Sequence, residues 1–178
     1  MTLHDVPTYF LGTNSPMGFV SCFDQLYDTH HHPKLYIIKG GPGTGKSTFM
    51  KKVAHTFLEE GRPVHIITCS SDPHSLDAVI LPDLGVCIVD GTAPHVLEPE
   101  YPGIHQSIIN FGAFLQEEQL SKQKDAILKI NRDLKECYAR SYHNLKLCAV
   151  LKQGNDSLVL PSLQTKRLEG LAQRIIKQ

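Results

Sequence analysis

Apolar residues gather in three short, near-continuous runs in the first half of the chain: Leu35-Tyr36-Ile37-Ile38, Val64-His65-Ile66-Ile67-Thr68-Cys69 and Val86-Cys87-Ile88-Val89. Runs of this length, bounded by Gly, Pro or Asp, read as strands buried on both faces. They predict strands over about Lys34 to Lys39, Pro63 to Cys69 and Gly85 to Asp90. Between the first two, apolar positions fall at 49, 50, 53, 54, 57 and 58. That is helical spacing, and it predicts a helix from about Lys46 to Glu60 with Gly61 as its stop.

Other segments are less regular. Residues 10 to 18 are turn-rich, and Phe19 to Tyr27 has the spacing of a short amphipathic helix. Ser75 to Leu81 reads as a short helix or turn followed by a brief strand. Two prolines make Val96 to Gly103 a loop, and Ile104 to Leu115 reads as mixed helix and turn. A long amphipathic helix is predicted from about Leu120 to Leu147, with Ile127, Ile130, Leu134, Tyr138, Tyr142 and Leu145 in one stripe. Asp125 with Lys129, and Glu136 with Arg140, are favourably ordered i,i+4 pairs on its wet face. Leu158 to Leu160, stopped by Pro161, reads as a short strand, and Leu163 to Ile176 as a final helix.

The first strand delivers the chain into Gly40-Gly41-Pro42-Gly43-Thr44-Gly45-Lys46-Ser47-Thr48, a G-x-x-x-x-G-K-S phosphate-binding loop of the Walker A type. Gly40, Gly43 and Gly45 can take backbone angles closed to other residues, so successive N–H groups converge on one anion. Lys46 is spaced to reach the β- and γ-phosphates, and the Ser47 hydroxyl to ligate Mg²⁺. The helix that follows sets its N-terminal donors and dipole against the phosphates. The competing reading is a glycine-rich turn without a ligand. A preceding strand and a following helix favour the nucleotide, so Gly40 to Thr48 are assigned to ATP. The lack of an N-K-x-D guanine-reading motif favours ATP over GTP.

This pattern predicts an α/β chain with the three-layer fold of P-loop NTPases: a mainly parallel sheet covered on both faces, with a helical C-terminal part. Residues 1–178 form one domain, with a core over about 8–115 and a helical extension over about 116–178. Only three strands are strong where at least five are expected. Either the weak C-terminal segments complete the sheet, or the chain is a fragment of a tandem protein.

Composition narrows the setting. The 18 basic residues balance the 18 acidic ones, which leaves no global field for nucleic acid or an anionic membrane. No apolar run approaches the ~20 residues that span a bilayer. The N-terminus lacks the regions of a secretory signal. Five scattered cysteines make no C-x-x-C pair, and Cys69 and Cys87 read as small reduced hydrophobes in strands. These features point to the cytoplasm. His30-His31-His32 reads as a solvated loop, because consecutive side chains diverge and chelate one metal poorly.

In a parallel sheet, ligands bind beyond the carboxyl ends of the strands. Asp90 ends the third strand and is assigned with Ser47 to Mg²⁺, Asp90 through water; the alternative is a cap on the turn at Gly91. His95 follows in a loop that can reach the γ-phosphate, and Lys46, Asp90 and His95 form the expected catalytic set. A plain surface histidine is the alternative. Asp72 and His74 lie beyond the second strand, where they read as acceptor-binding groups or as an Asp-Pro turn. Arg140 and Lys124 are candidate cationic fingers, or simply charges on a wet helix face. No Glu follows Asp90 to orient the attacking water.

The stretches Lys39 to Thr48, Cys69-Ser70-Ser71-Asp72-Pro73-His74-Ser75-Leu76-Asp77, and Asp90-Gly91-Thr92-Ala93-Pro94-His95 with Tyr101-Pro102-Gly103 resemble an uncharacterised family of bacterial ATPases. The resemblance covers roughly residues 8 to 147. It implies an ATP-binding fold, adds weight to Asp72, Asp90 and His95, and supplies no reaction or substrate. Members typically carry two phosphate-loop units in tandem, whereas this chain contains one.

The expected function is therefore an ATPase that couples binding and hydrolysis to a conformational change, with a second copy or second P-loop unit as partner. A small-molecule or nucleotide kinase is the alternative, as is a non-catalytic nucleotide sensor. Arginines are few, whereas kinase lids bring several to the phosphates, and this favours the ATPase.

Overall fold

A computed structural model of the protein describes residues 2–3, 5–27 and 34–177. The His30-His31-His32 run lies outside the described residues. Eight strands form among the described residues: β1 (Thr8–Tyr9), β2 (Gly12–Ser15), β3 (Gly18–Ser21), β4 (Lys34–Lys39), β5 (His65–Thr68), β6 (Leu76–Leu81), β7 (Val86–Asp90) and β8 (Gln106–Asn110). Helices are α1 (Lys46–Glu59), α2 (Glu117–Lys122), α3 (Lys124–Val159) and α4 (Thr165–Ile176). Six strands make the main sheet in the order β1-β5-β6-β7-β4-β8, and β2 and β3 form a separate hairpin.

The expectation of a mainly parallel, three-layer P-loop NTPase fold is overturned: the sheet is mixed. Strands β1–β5, β4–β7 and β4–β8 pair in parallel, but β5–β6 and β6–β7 are antiparallel. Connection length explains the reversal. Residues 69–75 and 82–85 are all that separate these strands, and a parallel crossover needs about a dozen or more. The layers differ as well. Met50, Ala54 and Leu58 of α1 pack on Ile38, Ile66, Val79 and Ile88 on one face. Among the described residues no helical layer covers the opposite face, with Ile37, Ile67, Ala78, Cys87 and Val89. Phe19 of β3, the 3₁₀ turn Phe23–Tyr27 and Leu97 pack there instead. Met50, Ile37, Ile38 and Val89 are fully buried, and side chains of this kind contribute roughly 2 kcal/mol each.

The missing strands come from within the core. Segment 75–81, expected as a short helix or turn followed by a brief strand, forms from Leu76 to Leu81 a fully buried central strand. Residues 106–110, expected as helix and turn, add the parallel edge strand β8. The amphipathic helix expected over 19–27 is divided between β3 and the 3₁₀ turn. Leu158 to Leu160 is no strand; α3 runs on to Val159 and gives way to the 3₁₀ turn Leu160–Ser162, where Pro161 has no N–H to continue the α-helical hydrogen bonding.

Helix α3 contains no buried residue. The Tyr142 hydroxyl ties it to β2 by donating to Asn14 Oδ1 at 2.7 Å. Ile127, Ile130 and Leu134 stand 38%, 64% and 45% exposed, so the apolar stripe is open in the single chain. No helix among the described residues is long and apolar enough to cross a membrane.

Candidate functional site

The site begins at the carboxyl ends of β4 and β7, which run in parallel with Ile38 paired to Asp90. This register brings Asp90 beside the start of the loop at Gly40, and the Gly91 N–H donates to Ile38 O at 3.0 Å. A Cβ on Gly91 would lie 2.3 Å from Ile37 Cγ2, so only glycine lets the two strand ends close. Lys39 fixes the same junction. Its ammonium donates to the carbonyls of Gly91 and Leu97 and to Glu98.

The loop then bends through Gly43 (φ 78°) and Gly45 (φ 85°), left-handed angles that disfavour any side chain. Thr44 holds the bend by donating its hydroxyl to Gly41 O at 2.8 Å. Gly45 caps α1 without a side-chain acceptor, so the first-turn N–H groups have no cap of that kind. Pro42 to Thr48, with Ser75 and Asp90, line a cleft of about 330 Å³. Gly40 and Gly41 lie at its approach, and their carbonyls accept from Lys46 Nζ at 2.5 and 3.0 Å.

Lys46 Nζ is also 3.4 Å from Asp90 Oδ2, both side chains being largely buried. Asp90 Oδ1 accepts from the Thr92 N–H and hydroxyl. One carboxylate thus caps the turn with one oxygen and turns the other to the lysine. Ser47 Oγ lines the cleft and accepts from the Leu76 N–H at 2.9 Å, which ties α1 to the start of β6.

The donor set fits a nucleotide with Mg²⁺. Backbone N–H groups at a helix start, one lysine, a hydroxyl and a single carboxylate suit phosphates and an ion that keeps several waters. Among the described residues no three His, Cys, Asp or Glu side chains converge, as a cage made wholly of protein ligands would require.

The remaining sequence candidates lie elsewhere. His95 does not reach the cleft: it is 5% exposed, and its ring lies 4.5 Å from that of Phe23 and 6.1 Å from that of Phe19. Its Nε2 is 3.4 Å from Asp77 Oδ1, and its Nδ1 is buried without a partner. Burial alone would lower its pKa. The hydrogen bond and charge of Asp77, with the charge of Asp90, outweigh that and raise it above the usual histidine value. Asp72 makes the Asp-Pro turn, accepting from the His74 N–H at 3.0 Å. Arg140 contacts Cys137 on its own helix.

Two residues escaped the sequence reading. Asp77 is a carboxylate inside a buried strand, and a charge placed there demands a partner. That demand was the available signal, and His95 meets it. Lys39, next to the glycines, looked like the end of a strand rather than a clamp. Two thiols are held in the protonated form by their surroundings: burial pushes Cys87 up to about 12 and also raises Cys69, with Asp77 adding to the rise.

The chain matches no family model, no curated protein and no solved structure.

Proposed function

We propose that the protein binds ATP with Mg²⁺ in the cleft at the start of α1 and hydrolyses it slowly, coupling the nucleotide state to a conformational change. The observation that carries this reading is the left-handed bend at Gly43 and Gly45, which leads straight into a helix start flanked by Lys46 and Asp90. Gly40 to Thr48 would hold the phosphates, Lys46 the β- and γ-oxygens, and Ser47 and Asp90 the ion. The ion supplies charge neutralisation at the transferring phosphoryl group.

The chain's own contacts suggest how binding would be felt. Lys46 spans Gly40 O, Gly41 O and Asp90, and engaging phosphate would draw it from them. Asp90 would then lose its cationic partner while still holding Thr92. The change would pass into the 90–98 segment, which Lys39 clamps at Gly91, Leu97 and Glu98. With Asp90 the one carboxylate in the lining among the described residues, no separate base is at hand there, and slow turnover is the expectation. A second copy or a second phosphate-loop unit would read the change through the helical half.

Phosphate release from ATP, with no acceptor added, tests the reading. Turnover abolished by Lys46→Ala supports it. Strict dependence on a small acceptor would instead establish a kinase.

A further inference from the structure

A second cavity, of about 430 Å³, lies between α1, β5 and the 73–76 strap. Its walls carry three basic side chains: Lys51 and His55, one helical turn apart on α1, and His74 on the strap. Among the described residues no carboxylate lines it. Three acidic residues within two positions of its lining residues are all engaged, Asp77 of them with His95. Asp5 accepts from the N–H and hydroxyl of Thr2, and Asp72 from the N–H of His74. The floor is apolar, with Ile66 and Leu76 both buried.

The Lys51 ammonium donates to His74 O, which holds it over the cavity with two further N–H donors available. A cavity of several hundred Å³ that joins an apolar floor to a few converging polar groups is the usual form of a small-ligand site. The Lys51 charge and the N–H groups of two imidazoles, with no counter-charge in the lining among the described residues, favour an anion.

We propose that this cavity binds a small organic anion, a carboxylate or phosphate group carried on an apolar body. Lys51, His55 and His74 take the anionic head, and Ile66 and Leu76 the body. The site is separate from the nucleotide cleft, and the strap joins the two. Ser75 faces the cleft, His74 and Leu76 face the cavity, and the Leu76 N–H donates to Ser47 Oγ. Binding here does not depend on the nucleotide reading.

Amide chemical shifts of the full chain, titrated with phenyl phosphate, benzoate and benzyl alcohol, test the proposal. The two anions are expected to shift the amides of residues 51, 55, 66 and 74–76 with roughly millimolar affinity, and neutral benzyl alcohol is not. The stronger anion identifies the head group. Lys51→Gln and His74→Gln are each expected to weaken binding about tenfold, as the loss of one charge-assisted contact should. Lys46→Ala disables the phosphate loop and should leave these shifts intact, which separates this site from that one. The proposal is overturned by the absence of shifts at about 10 mM, by equal shifts from benzyl alcohol, by shifts confined to residues 43–47, or by affinity unchanged in both cavity variants.

Discussion

Lys46 Nζ and Asp90 Oδ2 stand 3.4 Å apart, joining the start of α1 to the end of β7 inside a largely buried pair. The lysine also reaches the carbonyls of Gly40 and Gly41, so the free loop is held by the group expected to receive phosphate. Asp90 is anchored independently at Thr92. Its charge can therefore be removed without removing its shape.

Asp90→Asn exploits that separation. Asparagine Oδ1 can still accept from the Thr92 N–H, so the turn is kept, while the loss of the largely buried partner of Lys46 should cost about 1–3 kcal/mol. The gain in nucleotide affinity on adding Mg²⁺ should largely vanish. Affinities compared with and without Mg²⁺ check this, and an unchanged Mg²⁺ dependence would remove Asp90 from the ion site.

His95 and Asp77 predict a pH dependence of stability. The folded His95 pKa is raised above its unfolded value of about 6.5. The protonated form is then favoured by folding. Its contribution is fully present below about pH 6.5 and is lost as pH rises through the higher, folded pKa. Melting temperatures of the wild type and His95→Gln, measured from pH 5 to 9, should differ most at the acid end. A difference independent of pH would contradict the pairing. Asp77→Ala leaves a buried histidine without its partner and should cost about 2–4 kcal/mol.

The glycine loop between β4 and α1 was legible because three signals agree over residues 35 to 58: an apolar run, a glycine pattern and helical spacing. The sheet was not, because strand direction depends on how far each connection reaches rather than on the apolar pattern within a strand. Segment 76–81 hid a central strand because Asp77 interrupts its apolar run, and its neutralising partner is remote in sequence. Strand β8 hid for a related reason. Its buried start is the polar Gln106, whose side chain accepts from the Tyr101 N–H at 2.9 Å. His95 looked like a loop residue since nothing near it in sequence announces Phe19 and Phe23, which enclose it.

The open stripe on α3 predicts association. Sedimentation of the isolated chain with ATP, with ADP and with neither should show self-association, or else the monomer should bind a hydrophobic dye. Ile130→Lys, at the most exposed of the three stripe positions, should reduce whichever is seen. A monomer in all three conditions that binds no dye would contradict this expectation.

Calorimetric titration of ATP into wild type and Lys46→Ala, each with and without Mg²⁺, bears most directly on the central claim. Wild type should bind more tightly than millimolar, with Mg²⁺ improving the affinity. The alanine variant should lose roughly tenfold or more, the scale of a charge-assisted contact to phosphate. Wild-type binding weaker than about 1 mM, or equal binding by the two proteins, would contradict the assignment of the loop to a nucleoside triphosphate.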